Sequence, residues 1–594
     1  MGPHTTIAGA VPEEEEGEQT QSQWRMAWDD VSGQELDPSE VSKARAKEME
    51  YINKKGVWRL VPRAVAKLNG WKVIPTRWID INKGDIATPN FRSRLVAKEF
   101  NIGEQDGLFA ATPPLEAVRM LVSDAATTVR GRHCPEKVVM INDVARAFFE
   151  APMKRWVCVE LPAEARQGTE QPGEYVGLLQ LSLYGTRDAA ANFQEEVRRF
   201  MASLGFAQSK YNPQVYWHER RNLKTLVHGD DFMTSGPRSS AHWLRDQLGK
   251  RFEIKTKIIG RDEGEVAEER ILGRILRVTE KGWEYEADPR HAELIVRSLG
   301  LGCANGVKSP GEEDRPWKEE ENSEPLQSAE ASAYRALAAR ANYLAQDRAD
   351  IQYAAKEICR GMSAPSVGHM RAMRRLGRFL VAVPRVVWRF AFQAPVRVMT
   401  VYSDSDWAGC RRTARSTSGG VAMLGAHCIR TYSVTQKNVT LSSGEAELMA
   451  LVRAASEAIG LTQLAASWGV QLEASVFVDS SAALAVTNRR GCGKLRHVRV
   501  GHLWVQGLAE QELVNFVKVR GTENPADLLT KHLLSSQRER LTDMLAQTPR
   551  AGQADSRIQL NALHLRGDPA HGGYMRGSRR SVETDSSLHA CGSH

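Results

Sequence analysis

Apolar and polar positions change period several times along this chain, and each change marks an element. KARAKEMEYINKKG, from Lys43, reads as a short helix ending at Gly56. Strand-like runs follow, VWRLV from Val57 and WKVIPTRWIDI from Trp71, with the turn pair Asn69-Gly70 between them. RSRLVAKEF, Arg92 to Phe100, alternates basic and apolar residues and presents Arg92, Arg94 and Lys98 toward one surface. Leu115 to Val129 is helical, and VVMINDVARAFF then carries an apolar strand into Asp143. Asn192 to Leu204 is amphipathic, with Phe193, Val197, Phe200, Met201 and Leu204 on its apolar side. LKTLVHGDDFMTSG reads as two short strands joined by a tight acidic turn, and helix resumes from Trp243 to Lys250.

A polar, proline-containing loop after Gly306 leads into three basic helices, Ala331 to Leu344, Ile351 to Cys359 and Val367 to Val383. Beyond Pro395 three strands (RVMTVYSDSD, SGGVAMLG, HCIRTYSV) precede the long helix SSGEAELMALVRAASEAIGL. Then come the strand and helix ASVFVDSSAALAV, a strand ELVNFVKVR and a last helix ENPADLLTKHL. This order predicts a compact α/β unit with its own core. The first forty or so residues, with the run Glu13 to Glu16, and the Gly, Ser, His and Arg-rich end read as disordered.

The 594 residues are too many for one core and predict two to four domains. The formal net charge of +8 is compatible with a phosphate-backbone partner without requiring one. None of the eight cysteines forms a C-x-x-C pair, so reduced thiols are expected rather than structural zinc. The N-terminus lacks a basic start followed by an apolar run, and the most apolar helical stretch, Phe379 to Phe392, is broken by Pro384, Arg385 and Arg389. A soluble, intracellular protein with no membrane partner is expected.

Two sets of acids carry the chemistry. Asp143 ends an apolar strand, and Asp230 and Asp231 occupy a tight turn; such charge is costly unless solvent or cations meet it. Magnesium suits these hard oxygen ligands, and two ions could activate a primer hydroxyl and stabilise a leaving pyrophosphate. In the C-terminal unit Asp404 ends a strand, Glu447 starts a long helix, Asp479 ends a strand and Asp527 begins the last helix. Four carboxylates gathered around one sheet would repel each other unless metal ions offset the charge.

INDVARAFFEAPM, VHGDDFMTSG, SLYGTRDAAANFQ, RSRLVAKEF and FAATPPLEAVRMLVSDAA occur in the order found in reverse transcriptases of copia-type long-terminal-repeat retrotransposons, and the chain resembles that family from about Ala44 to Pro310. VYSDSDWAG, RSTSGGVAML, SVTQKNVTLSSGEAELMAL, VFVDSSAAL, LRHVRVGHLW and NPADLLTKHL resemble the ribonuclease H portion of the same polyproteins, from about Arg397 to Leu533. The resemblance implies a multidomain α/β and α+β protein: a right-hand-type polymerase with fingers, palm and partial thumb, a helical connection, and a ribonuclease H-like α/β domain. Expected boundaries are a disordered leader 1–43, polymerase 44–310, basic helical connection 311–395, ribonuclease H-like domain 396–540 and a disordered tail 541–594.

By that resemblance Asp143, Asp230 and Asp231 bind metal in the polymerase, and Asp404, Glu447, Asp479 and Asp527 in the ribonuclease H, with two Mg2+ ions per site and Mn2+ as the alternative. Val144 would lend a backbone carbonyl, Arg92, Arg94 or Lys98 would touch the triphosphate, and Phe148 would lie under the incoming sugar and exclude a 2′-hydroxyl. Asp406 and Glu445 remain alternatives to Asp404 and Glu447. His497, His502 and Thr522 compete for the position of a product-releasing histidine. The sequence departs from the family at His228, Asp188 and Ala190, where Tyr, Gln and Pro are common; Asp188 beside a triphosphate would need Arg187 as its partner.

The partners implied are an RNA template, a DNA primer, an RNA–DNA hybrid and deoxynucleoside triphosphates. Arg371, Arg374, Arg375 and Arg378 recur at helical spacing and are expected either to track the duplex between the sites or to form a solvated face. No D-[ST]-G triplet and no His/Cys zinc module accompany these motifs, so the chain reads as the last part of a mobile-element polyprotein. The competing reading is a decayed or domesticated copy that binds nucleic acid without polymerising.

Overall fold

The computed structural model describes residues 27–30, 32–84, 88–100, 110–128, 137–166, 173–312, 323–410, 412–493 and 495–551. The chain divides into two compact units, Met1–Ala44 with Asp80–Ser93 and Leu560–His594, and Arg45–Ile79 with Arg94–Gln559.

In the smaller unit the strands Ala27–Trp28 and Glu35–Leu36 pair antiparallel. Ala27, Leu36 and Val41 are buried with Phe91 against them. The side chains of Asp29 and Asp30 accept hydrogen bonds from the backbone N–H groups of Asn82 (2.7 Å) and Asp80 (2.8 Å). The expected disordered leader 1–43 is therefore ordered at residues 27–30 and 32–43, where a second segment supplies backbone donors beside a small apolar core. Its acidic run Glu13 to Glu16 lies outside the described residues.

Four sheets organise the larger unit. The first runs Ala207–Gln208, Val215–His218, Leu223–His228, Asp231–Pro237, Lys137–Val144 and Ile254–Ile259 in spatial order, antiparallel throughout. Its 137–144 strand is apolar on both sides because both faces are covered. Val138 and Met140 pack with Phe193 and Val197 of the helix Ala189–Ser203, and Val139 and Ile141 pack with Leu121 and Val122 of the helix Leu115–Ala125. A second sheet joins Trp58–Pro62, Tyr175–Leu179, Val157–Val159 and Lys72–Ile74.

The third sheet draws on distant parts of the chain: Glu268–Ile271, Arg274–Thr279, Gly282–Ala287, Val386–Ala391 and Gln547–Pro549. It corrects two expectations. Residues 386–391, placed in a helical connection, are a strand buried at Val386, Val387, Trp388 and Phe390. Residues 541–551, placed in a disordered tail, complete the helix Ser535–Met544 and add the sheet's last strand; the rest of that tail lies outside the described residues. Neither strand has a partner nearby in sequence, so local patterning could not reveal the pairing. The expected helices are seen at Ser328–Ala345, Ala349–Arg360 and Val367–Ala382, packed with Arg290–Ser298 around Leu337, Ile351, Leu376 and Phe379.

The fourth sheet has the order His427–Thr435, Arg415–Leu424, Val398–Cys410, Glu473–Val478, Asn515–Lys518. Its first three strands are antiparallel and the last two join parallel. The helix Ser443–Ala466 covers it. The expected last helix ENPADLLTKHL is instead a short 3-10 turn, Pro525–Leu529, and the α-helix begins only at Ser535. Among the described residues no helix is long and apolar enough to cross a membrane.

Asp347, buried between two helices of the 328–360 pair, ties these layers together. It accepts hydrogen bonds from Arg119 (2.8 Å), Arg274 (2.9 Å) and the Tyr285 hydroxyl (2.9 Å), and its carbonyl accepts from Trp388 (2.6 Å) and Gln547 (3.3 Å). Arg119 also donates to the carbonyl of Ile429, in the fourth sheet (3.3 Å). Removing one member of a buried charge network strands the others. D347A is expected to cost about 3–5 kcal/mol, seen as a lower urea midpoint; an unmoved midpoint would show that these layers are held by apolar packing alone.

Candidate active sites

The first acidic site is made by strand register. Asp231 opens the strand that runs antiparallel to 137–144, and its direct partner there is Asp143. His228 pairs with Asp231 across a two-residue turn, in which Gly229 takes the positive φ of 65° that the corner requires. Asp230 follows in the turn, and its carbonyl accepts the Val144 N–H at 3.0 Å. Burial, then the charges of Asp230 and Asp143, push the Asp231 carboxyl up to about 6. Lys255, across the 254–259 strand from Asp143, is an exposed cation at this edge that the sequence pattern did not single out.

Arg92 and Arg94 lie on the strand Phe91–Ala97, with Lys98 just beyond it. The Arg94 guanidinium sits over the Tyr184 ring at 4.4 Å, and Tyr184 packs on Phe148 with ring centroids 4.8 Å apart. Phe148, half-buried in the 3-10 turn Ala147–Glu150, is thus joined to Arg94 through one aromatic ring. The partner of Asp188 is not Arg187. Arg155 reaches it with two hydrogen bonds, 3.0 and 2.6 Å, and grips Glu99 with two more. Burial pushes the Asp188 carboxyl up, but the Arg155 hydrogen bonds outweigh it and hold the group below its usual range. Arg187 instead donates its backbone N–H to Glu99 at 2.9 Å. Neighbours in sequence face different ways here, and a cation 33 residues away fills the role.

The second site is tighter. Ser403 and Val478 are register partners on adjacent parallel strands, which sets Asp404 beside Asp479. Asp479 lies one residue past its strand, whereas Asp404, expected to end a strand, lies midway along the 398–410 strand, which runs on to Cys410. Glu447 comes down from the start of the 443–466 helix, whose first turn is capped by Ser442. Ligand oxygens of Asp404, Glu447 and Asp479 all lie within 4.8 Å of one another, the one such group among the described residues. One Glu447 oxygen accepts the Ser405 N–H at 3.2 Å; the other is buried with no partner. An orphaned carboxylate oxygen facing two more carboxylates is what a hard divalent cation satisfies. Burial, then Asp404 and Asp479, push Glu447 up to about 8; burial, then Asp527 and Asp479, push Asp404 up to about 7. Burial followed by Asp527 also raises Asp479.

Asp527 approaches this group without joining it, its carboxylate bound to Lys531 at 2.8 Å. Gly419, opposite Asp404 in register, makes room for that segment: a Cβ there would lie 2.7 Å from Thr530 and 2.9 Å from the Ala526 carbonyl. The two alternatives are directed elsewhere. Asp406 accepts from the Thr417 N–H, and Glu445 accepts from the Leu441 N–H (2.8 Å) and meets His497 (3.1 Å). His502 has a buried Nδ1 with no partner, and the Thr522 carbonyl accepts from Arg540. Of the four arginines on the 367–382 helix, Arg371, Arg374 and Arg378 are exposed, while Arg375 binds Glu312 (2.9 Å) and Ser309 (2.8 Å). Arg378 also donates to the Asn305 carbonyl at 2.9 Å.

Residues 55–260 match the family described as reverse transcriptase (RNA-dependent DNA polymerase). The chain is 25% identical over 518 residues to the retrovirus-related Pol polyprotein from transposon TNT 1-94 of Nicotiana tabacum, covering 83% of this chain and 37% of that one. It is 25% identical over 489 residues to the Pol polyprotein from transposon RE1 of Arabidopsis thaliana, covering 80% and 32%. The foamy viral protease–reverse transcriptase in complex with double-stranded DNA aligns at a TM-score of 0.47 with 12% identity, over 83% of this chain and 74% of that one. Residues 55–260 are a reverse transcriptase domain. Over about four-fifths of its length the chain is similar to retrotransposon Pol polyproteins, and it spans about a third of the length of the curated relatives it matches.

Carboxylates with raised values bind protons more tightly in the folded chain than in the unfolded one. Their contribution to stability is present below the unfolded value of about 4 and is lost as pH rises through about 7 to 8. A divalent cation that replaces those protons should raise the unfolding temperature more at about pH 8.5 than at about pH 5.5. Differential scanning fluorimetry with and without Mn2+ checks this, and equal shifts at both values would contradict it.

Proposed function

We propose that the chain is an RNA- and DNA-templated DNA polymerase coupled to a ribonuclease H that cuts the RNA strand of the hybrid it makes. The observation that carries this is the presence of two separate carboxylate clusters, each built on adjacent strands of one sheet, in one chain with a reverse transcriptase domain. Asp143, Asp230 and Asp231 would hold the polymerase's ions; Asp404, Glu447 and Asp479, with Asp527 beside them, the ribonuclease H's. Magnesium, two ions per site, is proposed because all the donors are hard oxygens, with manganese as its substitute. Bound ions would acidify the attacking hydroxyl or water and stabilise the departing oxygen.

The chain's own side chains would set selection and placement. Phe148, braced by Tyr184, would pack beneath the incoming sugar and leave no room for a 2′-hydroxyl. Arg94, whose guanidinium stacks on Tyr184, is the member of the Arg92, Arg94 and Lys98 group that would meet the triphosphate. The template, primer and hybrid would be held mainly by phosphate contacts, with Arg371 and Arg374 exposed on the connecting helix. The reading as a decayed copy loses its electrostatic argument, because Arg155 and not a nucleotide meets the charge of Asp188.

D230A is expected to abolish primer extension and spare hybrid cleavage, and D479A to do the reverse, in paired assays with Mg2+ or Mn2+. Equal loss of both activities in each variant would falsify two independent sites. F148V should raise ribonucleotide incorporation relative to deoxynucleotide by about tenfold or more, measured as the ratio of kcat/KM values; an unchanged ratio would remove Phe148 from sugar selection.

A further inference from the structure

Asp527 and Lys531 stand four residues apart, on and just after the 3-10 turn Pro525–Leu529, and form an ion pair of 2.8 Å. That turn is fixed from below: the Asn524 side chain donates to the Ser403 carbonyl (2.9 Å), and the Ser433 hydroxyl donates to the Leu529 carbonyl (2.6 Å). The backbone carrying Asp527 is therefore held, while its side chain and the half-exposed Lys531 chain can exchange partners. Three carboxylates close to within 4.8 Å and Asp527 does not join them.

Resting on the reading of this cluster as a metal site, we infer that Lys531 is a positioning residue that withholds Asp527 from the metal-binding group, so that the site without nucleic acid takes one divalent cation instead of two. The charge count explains why. Four carboxylates with the ammoniums of Lys531 and of Lys518, which donates to the Asp479 carbonyl, are neutralised by one divalent ion, and a second ion would make the group net positive. Without the Lys531 ammonium one ion leaves the group net negative, and a second ion is drawn by that remaining charge. A phosphate diester is the chemistry that can take over the Lys531 ammonium and free Asp527, which ties completion of the site to arrival of a sugar-phosphate chain.

The test counts Mn2+ bound to the full chain without nucleic acid, by the loss of the free-ion electron paramagnetic resonance signal, with Asp143, Asp230 and Asp231 changed to Asn so that the other cluster is silent. One saturable ion is expected, two in K531M and K531Q with the second bound about 10-fold or more tightly than in the parent, and one again in K531R, which keeps the charge. The same count in K531M, K531Q and the parent would overturn the inference while leaving the metal site intact. No saturable Mn2+ in the parent, or binding indifferent to D479N, would overturn both the inference and the reading of the cluster as a metal site.

Discussion

A single buried carboxylate, Asp347, is where the larger unit is joined. Two arginines, a tyrosine, a tryptophan and a glutamine from five separate elements converge on it, with no bulk water to share their charge. Such a group is costly to bury and costlier to leave half-satisfied, so it tolerates few alternative arrangements. Through Arg119 it links the helix that backs the first acidic sheet to the Ile429 carbonyl in the sheet of the second cluster. The two clusters are placed by one polar knot as well as by apolar packing.

Both clusters are built on adjacent strands of one sheet. Asp143 and Asp479 sit at or just past strand ends with buried residues before them, and Asp230 and Asp231 at a strand turn, whereas Asp404 lies within its strand and Glu447 on a helix. Asp143 follows Val138 to Ile141, and Asp479 follows Val476 and Val478. The sheet sets spacing and the apolar run behind it sets rigidity. The clusters differ in depth. In the first, Asp143 is exposed and Asp230 and Asp231 are partly buried; the second lies under a helix, and burial there does most of the work of raising Asp404 and Glu447.

Much of this was legible in the chain. The 328–345, 349–360 and 367–382 helices, the five strands of the last sheet and the acidic hairpin follow from period and turn chemistry, since their cores are local. The motifs around Asp143, Asp230 and Asp404 marked which acids to watch. What escaped notice was non-local: the strand 386–391, the strand 547–549, the ordered segment from Ala27, and Arg155 as partner of Asp188. Gly419 had a signal, the Gly-Gly pair in a strand, whose meaning appears only with the segment that lies on it.

By itself the sequence determined the chemistry on offer: seven acids in two groups, and an aromatic after the first of them. Those depend on residue type and on periods of two and 3.6, which are written locally. Only the tertiary structure decided which acids meet. It brought Asp404 and Glu447, which the motif match already favoured over Asp406 and Glu445, together with Asp479, gave Asp188 to Arg155, and left Asp527 with Lys531. The reason is physical: the free energy of bringing like charges together depends on burial and on the cations nearby, and both are set by packing between segments far apart in the chain.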